Sequence, residues 1–120
     1  MIAGILIPCS TNSDIYISIR NSSGSASELA PISTSVANTW YHVVITINQN
    51  ILKFYLNGIL TATQTLNANH TTMTLPYMFI ARSNWPADSY YNGQITDFRF
   101  YNKVLDSNEV NSIYNIGPVQ

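Results

Sequence analysis

The stretch from Tyr91 to Tyr114 constrains the fold of this chain more than any other. It reads Tyr-Asn-Gly-Gln-Ile-Thr-Asp-Phe-Arg-Phe-Tyr-Asn-Lys-Val-Leu-Asp-Ser-Asn-Glu-Val-Asn-Ser-Ile-Tyr. Gly93 interrupts a tyrosine-rich run where a turn favours a residue without a Cβ. From Gln94 to Tyr101 the side chains alternate, which predicts a strand. Thr96, Phe98 and Phe100 fall on one face, expected to be the core face. Ile95, Asp97, Arg99 and Tyr101 fall on the other, either toward solvent or within a site. Asp106 precedes Glu109 by three residues, the spacing of a capping box, in which each side chain accepts from the other's backbone N–H. Val110, Ile113 and Tyr114 follow at helical spacing, and Gly117-Pro118 ends a helix of one or two turns.

The remaining chain reads as short strands separated by turn residues. Ile2–Ile7 predicts a first strand and Asp14–Arg20 a second, with Ile15, Ile17 and Ile19 on one face. Asn21–Ser27 is a Ser/Gly loop. Glu28–Val36 predicts a short strand broken at Pro31. Trp40–Asn48 predicts a central strand, with Trp40 in the core. Gln49-Asn50 turns the chain into Ile51–Leu56, and Asn57-Gly58 turns it again into Ile59–Leu66. Asn67–Thr72 is a polar loop, Tyr77–Arg82 a further strand, and Ser83–Asn92 a loop carrying Asn84, Trp85, Pro86, Asp88, Tyr90 and Tyr91. This spacing predicts an all-β, antiparallel two-sheet sandwich formed by a single domain over residues 1–120, with a short C-terminal helix.

Composition excludes several classes of partner. Net charge is −1 and only 9% of residues are charged, so there is no basic footprint for nucleic acid and no polybasic membrane patch. No apolar run is long enough to span a membrane. Met1–Pro8 lacks the basic leader and cleavage site of a signal peptide. The single cysteine, Cys9, cannot form an internal disulfide and reads as a small buried hydrophobe.

Two blocks resemble a known family. The segment Tyr91 to Val110 is similar to the closing segment of laminin G-like, concanavalin A-like lectin/glucanase domains. Their pattern is aromatic-x-Gly-x-Ile-Asp-Asp-x-Arg-Ile-Tyr-Asn-Arg-Ala-Leu-Ser-x-x-Glu-Ile. Thr39-Trp40-Tyr41-His42-Val43 and Tyr55-Leu56-Asn57-Gly58 resemble the family's Trp-x-His-Val and Tyr-x-Asn-Gly pair. The two blocks stand in family order and cover roughly residues 36 to 116. The resemblance implies a jelly roll of two curved sheets. It also implies about forty further N-terminal residues with an early strand pair, judged by strand and loop lengths. That segment is not found here, so the expectation is a compact variant, a piece of a longer polypeptide, or a sheet completed by a neighbouring protein chain, for which an uncovered edge is a docking site.

Catalysis is not expected. The superfamily's glucanases use Glu-x-Asp-x-x-Glu on a strand, since retaining hydrolysis needs two carboxyls on one face. The six acids here, Asp14, Glu28, Asp88, Asp97, Asp106 and Glu109, include no such pair. Lectin-like relatives hold Ca²⁺ with loop oxygens, and Asn84, Asp88 and Asp97 are the candidate ligands. The plainer account is preferred: Asn84 and Asp88 form loop turns, and Asp97 pairs with Arg99 or Lys53. His42 and His70 are too isolated for zinc, and His42 is expected in a structural hydrogen bond. A sugar site needs a flat aromatic ring beside groups that fork to hydroxyls. Asn84, Trp85, Asp88 and Tyr90 supply these from one loop, with Arg82, Arg99 and Tyr101 on neighbouring strands. Alternatively, Trp85-Pro86 caps the end of the sandwich. The expected role is recognition of a glycan or protein surface. The alternative is a structural subunit of a virion or cell-surface layer, completed by a partner chain. Either role places the protein outside the cell, on its surface or on a virion.

Overall fold

The computed structural model describes residues 14–20, 26–66, 80–81 and 90–118, with side chains described from residue 35 onward. The expected strand Ile2–Ile7, the loop Asn67–Thr72 and most of the loop Ser83–Asn92 lie outside the described residues. The chain forms two compact units, one comprising Met1–Ala37 and Asn67–Gly93, the other Asn38–Leu66 and Gln94–Gln120.

In the first unit, β1 (Asp14–Arg20) pairs antiparallel with β2 (Ala26–Thr34). The bounds of β1 are those the isoleucine alternation predicts. Pro31 does not break β2. Ile15 pairs with Ser33 and Ile17 with Leu29, so Ala30-Pro31-Ile32 bulges opposite Tyr16. Proline has no N–H to donate, and a bulge removes the need for one. Ile80 and Ala81, expected within a strand, form a bend with Ala81 at φ 63°. Tyr91 N–H donates to Ala81 O at 3.0 Å and ties the bend to the residues before Gly93. A Cβ on Gly93 would lie 2.7 Å from the Tyr91 ring, so the glycine makes room for that ring and does not serve a left-handed turn.

In the second unit, β3 (Val43–Asn48), β4 (Ile51–Leu56) and β5 (Ile59–Thr65) form a three-stranded antiparallel meander. Both turns lie where the sequence predicts them. Gln49 takes φ 54°, and Asn57 and Gly58 take φ 50° and 81°. Two successive left-handed residues match the right-handed twist of the flanking strands, and Asn-Gly is the pair that adopts them at least cost. A bulge between Phe54 and Tyr55 shifts the β4–β5 register by one residue.

The core sits on both faces of β4. Leu52 and Phe54 are buried beside their partners Ile47 and Ile45. On the opposite face, Tyr55 clusters with Leu105 and Val110, and Val44 and Ile113 pack against them. This second face is covered by α1 (Ser107–Ile116), which is longer than the one or two turns expected. Its capping box is complete. Glu109 N–H donates to Asp106 Oδ1 at 2.9 Å, and Asp106 N–H donates to Glu109 Oε2 at 3.0 Å. Lys103 Nζ bonds Glu109 as well. That bond, followed by the Asp106 N–H, holds the Glu109 carboxyl below its ordinary range. Gly117, at φ 78°, closes the helix by donating to Ile113 O and Tyr114 O. Asp106→Ala leaves the first-turn N–H groups without their acceptor. It is expected to cost about 1 kcal/mol in chemical denaturation, while Asp106→Asn, which keeps an acceptor, is expected to cost only a small part of that.

Two expectations are corrected. Trp40 is 61% exposed and precedes β3, which begins at Val43, so it is not a core residue. Gln94–Tyr101 is not a strand among the described residues, and its supposed core face is open, with Phe98 56% and Phe100 73% exposed. Alternation defines two faces, but burial requires a neighbouring ladder, and no described strand pairs with this segment. Asp97 at φ 53° also interrupts its extended backbone.

Candidate functional site

Of the predicted ligand-binding residues, Arg82, Asn84, Trp85 and Asp88 lie outside the described residues. Tyr90 belongs to the first unit and is 72% exposed. Arg99 and Tyr101 belong to the second, together with Asp97.

The left-handed backbone at Asp97 turns its carboxylate toward Arg99. Arg99 Nε donates to Oδ1 and Nη2 to Oδ2, both at 2.6 Å. This is the parallel two-bond geometry in which a guanidinium holds a carboxylate most firmly. Arg99 Nη1 lies 3.5 Å from the Tyr101 hydroxyl, at the outer limit of a hydrogen bond. Asp97, followed by Tyr101, raises the Arg99 pKa above its ordinary value. The pairing of Asp97 with Arg99 is one of the two partners expected from sequence. Phe98 and Phe100 meet edge to face beside it, with ring centroids 5.1 Å apart. The resulting surface carries flat rings, a phenol and an oriented charge pair. Tyr101 also lines an open groove of about 430 Å³, together with Lys103, Asp106 and Glu109.

Sequence reasoning missed Trp40, Phe98 and Phe100 as surface residues. Aromatic rings in an alternating segment read as core until the absence of a covering layer is known.

Ca²⁺ requires oxygens that are not already engaged. Both Asp97 carboxylate oxygens accept from Arg99, and a guanidinium at this distance opposes a cation. In this arrangement Asp97 does not fit as a ligand. Among the described residues no group of three or more His, Cys, Asp and Glu could hold a metal.

His42 lies within electrostatic reach of the Asp97–Arg99 pair. Its N–H donates to Asn57 Oδ1 at 3.0 Å, and its carbonyl accepts from Asn57 N–H at 2.8 Å. The histidine of the Trp-x-His-Val block and the asparagine of the Asn-Gly turn are therefore locked to one another across the hairpin. The hydrogen bonds expected of His42 are made by its backbone. The ring packs against Tyr114 at 5.6 Å, and its Nδ1 is buried without a hydrogen-bond partner among the described residues. Burial, then the Arg99 charge, lower its pKa, while Asp97 partly opposes them. The folded protein thus binds this proton less readily than the unfolded chain. His42's contribution to stability is complete above the ordinary imidazole value of about 6.5 and is lost as pH falls through the depressed folded value. Denaturation midpoints measured from pH 8 to pH 5 should fall less steeply for His42→Asn than for the parent.

No helix among the described residues is long and apolar enough to cross a membrane. No curated protein matches the chain. Among solved structures it is similar to that of an S-layer domain-containing protein (residues 221–444) from Clostridium thermocellum ATCC 27405, with 17% identity and a TM-score of 0.54. The match covers 95% of this chain and 62% of that one, so this chain spans less than two thirds of its neighbour's length. A laminin G-type family model, described as concanavalin A-like lectin/glucanases superfamily, matches residues 4–111. With the paired hairpins and the capped closing helix, that match shows that the chain belongs to the concanavalin A-like lectin/glucanases superfamily.

Proposed function

We propose that this chain is a non-catalytic recognition module at a cell surface, built as a two-sheet jelly-roll sandwich and binding glycans through exposed aromatic and charged side chains. The sandwich is supported by the family and by β4, which is buried on both faces as a strand within a layered sheet must be. The observation that carries the binding reading is the exposed Tyr101 ring beside the Asp97–Arg99 pair. A sugar stacks its apolar face on such a ring and directs its hydroxyls to a carboxylate and guanidinium of fixed orientation. The test is titration with cell-wall polysaccharides. Tyr101→Ala is expected to weaken binding by about 0.5–1.5 kcal/mol, and Tyr101→Phe to retain most of it. Equal binding by all three proteins would reject this surface. Titrations with Ca²⁺ and with chelator decide the ion's part. Ca²⁺ at Asp97 would need Arg99 to leave that carboxylate, and loss of binding on chelation would show that the ion takes part.

A second reading, a structural subunit of a cell-surface layer, is favoured by the likeness to an S-layer domain-containing protein. It predicts association between chains in the absence of any saccharide.

A further inference from the structure

The chain contains two Asn-Gly pairs, Asn57-Gly58 and Asn92-Gly93. Asparagine is a thermolabile residue, most of all before glycine, which sets no side chain beside its own backbone nitrogen. That nitrogen can reach the asparagine Cγ and close a five-membered imide. The structure holds the two pairs very differently.

Asn57-Gly58 is protected. Asn57 Oδ1 accepts from His42 N–H at 3.0 Å, and Asn57 N–H donates to His42 O at 2.8 Å. Closing the imide would pull the side chain away from the first bond and distort the turn. Gly58 is buried beneath α1, with Tyr114 Cδ1 at 3.0 Å and Asn111 Nδ2 at 3.2 Å from the position of a Cβ. Water and hydroxide are kept from its N–H.

Asn92-Gly93 lacks these constraints. Both residues are exposed, and Gly93 lies in a bend outside any described strand or helix. The bond from Tyr91 N–H to Ala81 O ties the chain one residue before Asn92. Among the described residues no hydrogen bond holds the Asn92 side chain. The Tyr91 ring lies 2.7 Å from where a Cβ on Gly93 would stand, so the fold keeps the glycine that leaves Asn92 unshielded.

We propose that Asn92 is a site of spontaneous deamidation in the folded protein, and that the fold spares Asn57. In the first step Gly93 N bonds to Asn92 Cγ and the Cγ–Nδ2 bond breaks. Nδ2 leaves as ammonia, taking the proton that Gly93 gives up. Water then opens the imide at either carbonyl, giving aspartate or isoaspartate, with no oxidation or reduction. Each event adds one negative charge to a chain of net charge −1. Isoaspartate also adds a methylene to the backbone, five residues before Asp97. Deamidation does not depend on glycan binding: peptide masses report one and saccharide titration the other.

For the test, the protein is incubated at mildly alkaline pH, both folded and in guanidinium chloride, then digested for peptide mass spectrometry. In the folded protein Asn92 should convert on the order of tenfold faster than Asn57, which must first give up a hydrogen bond and its packing. In denaturant the two rates should converge. The Asn92 product should contain both aspartate and isoaspartate, the mark of an imide. Asn92→Gln, whose longer side chain disfavours the ring, should slow the appearance of the acidic form on ion exchange. Equal conversion of both asparagines in the folded state overturns the proposal, as does Asn92 conversion seen only in denaturant. A difference that persists in denaturant assigns the protection to local sequence and not to the fold, and overturns it too. So does an acidic form that accumulates equally fast in Asn92→Gln.

Discussion

Tyr55→Ala is expected to be among the most destabilising substitutions in this chain, costing about 3–5 kcal/mol, the range for removing a fully buried aromatic ring. The ring is 1% exposed and joins two elements distant in sequence, the middle strand of the sheet and the closing helix. Its removal leaves Leu105 and Val110 facing a cavity. The sheet cannot collapse into that space, because Val44 is hydrogen-bonded into the ladder opposite. The Tyr55 hydroxyl lies 3.4 Å from Ser107 Oγ, a long and weak contact. Tyr55→Phe should therefore stay within about 0.5 kcal/mol of the parent, well below a full hydrogen bond's contribution. Paired denaturation curves for the two variants separate packing from hydrogen bonding. Equal losses would make the hydroxyl, and not the ring, the link between sheet and helix. A loss on this scale is a large part of the stability of a domain this small.

The parts of the fold legible in the sequence are those decided locally. Three alternating isoleucines define β1, Asn57-Gly58 the tight turn between β4 and β5, and Asp106 with Glu109 the start of α1. In each case the residues that write the signal also make the contact, within a few positions of one another. What was not legible depends on residues far away in the chain. Phe98, Phe100 and Trp40 read as core residues from the sequence, yet all three are exposed. Periodicity tells which side chains share a face, and says nothing of whether another layer covers it. Pro31 shows the opposite case, where a residue read as a strand breaker is absorbed by two extra residues in its own strand. The candidate site divides the same way. Asp97 and Arg99 are two residues apart and their pairing is legible from that spacing, whereas Arg82, Asn84, Trp85 and Asp88 lie outside the described residues.

Gly58→Val carries the second large expected loss, about 2–4 kcal/mol, because two independent constraints meet at one atom. The first is backbone. Gly58 sits at φ 81°, where a Cβ costs about 1–2 kcal/mol and a β-branched residue more. The second is space. A Cβ here would lie 3.0 Å from Tyr114 Cδ1, 3.1 Å from Tyr114 Cβ and 3.2 Å from Asn111 Nδ2. The added methyls of valine extend that conflict, and α1 would have to move off the hairpin. Such a movement would also disturb Tyr114, whose ring packs at a tilt against His42, and His42 N–H donates to Asn57 of the turn. Turn, histidine and helix thus behave as one unit. Asn57→Ala should lose the bond to His42 N–H and the residue type suited to φ 50°, with a smaller cost of about 1–2 kcal/mol. A double variant of Gly58→Val and Tyr114→Ala discriminates between the two constraints. If space dominates, removing the Tyr114 ring recovers much of the loss, and the double variant is more stable than the sum of the single effects. If backbone conformation dominates, the two losses add. Strict additivity would sink the claim that the Tyr114 ring requires this glycine, leaving the turn and the helix atoms that survive Tyr114→Ala, Tyr114 Cβ and Asn111 Nδ2, as its reasons.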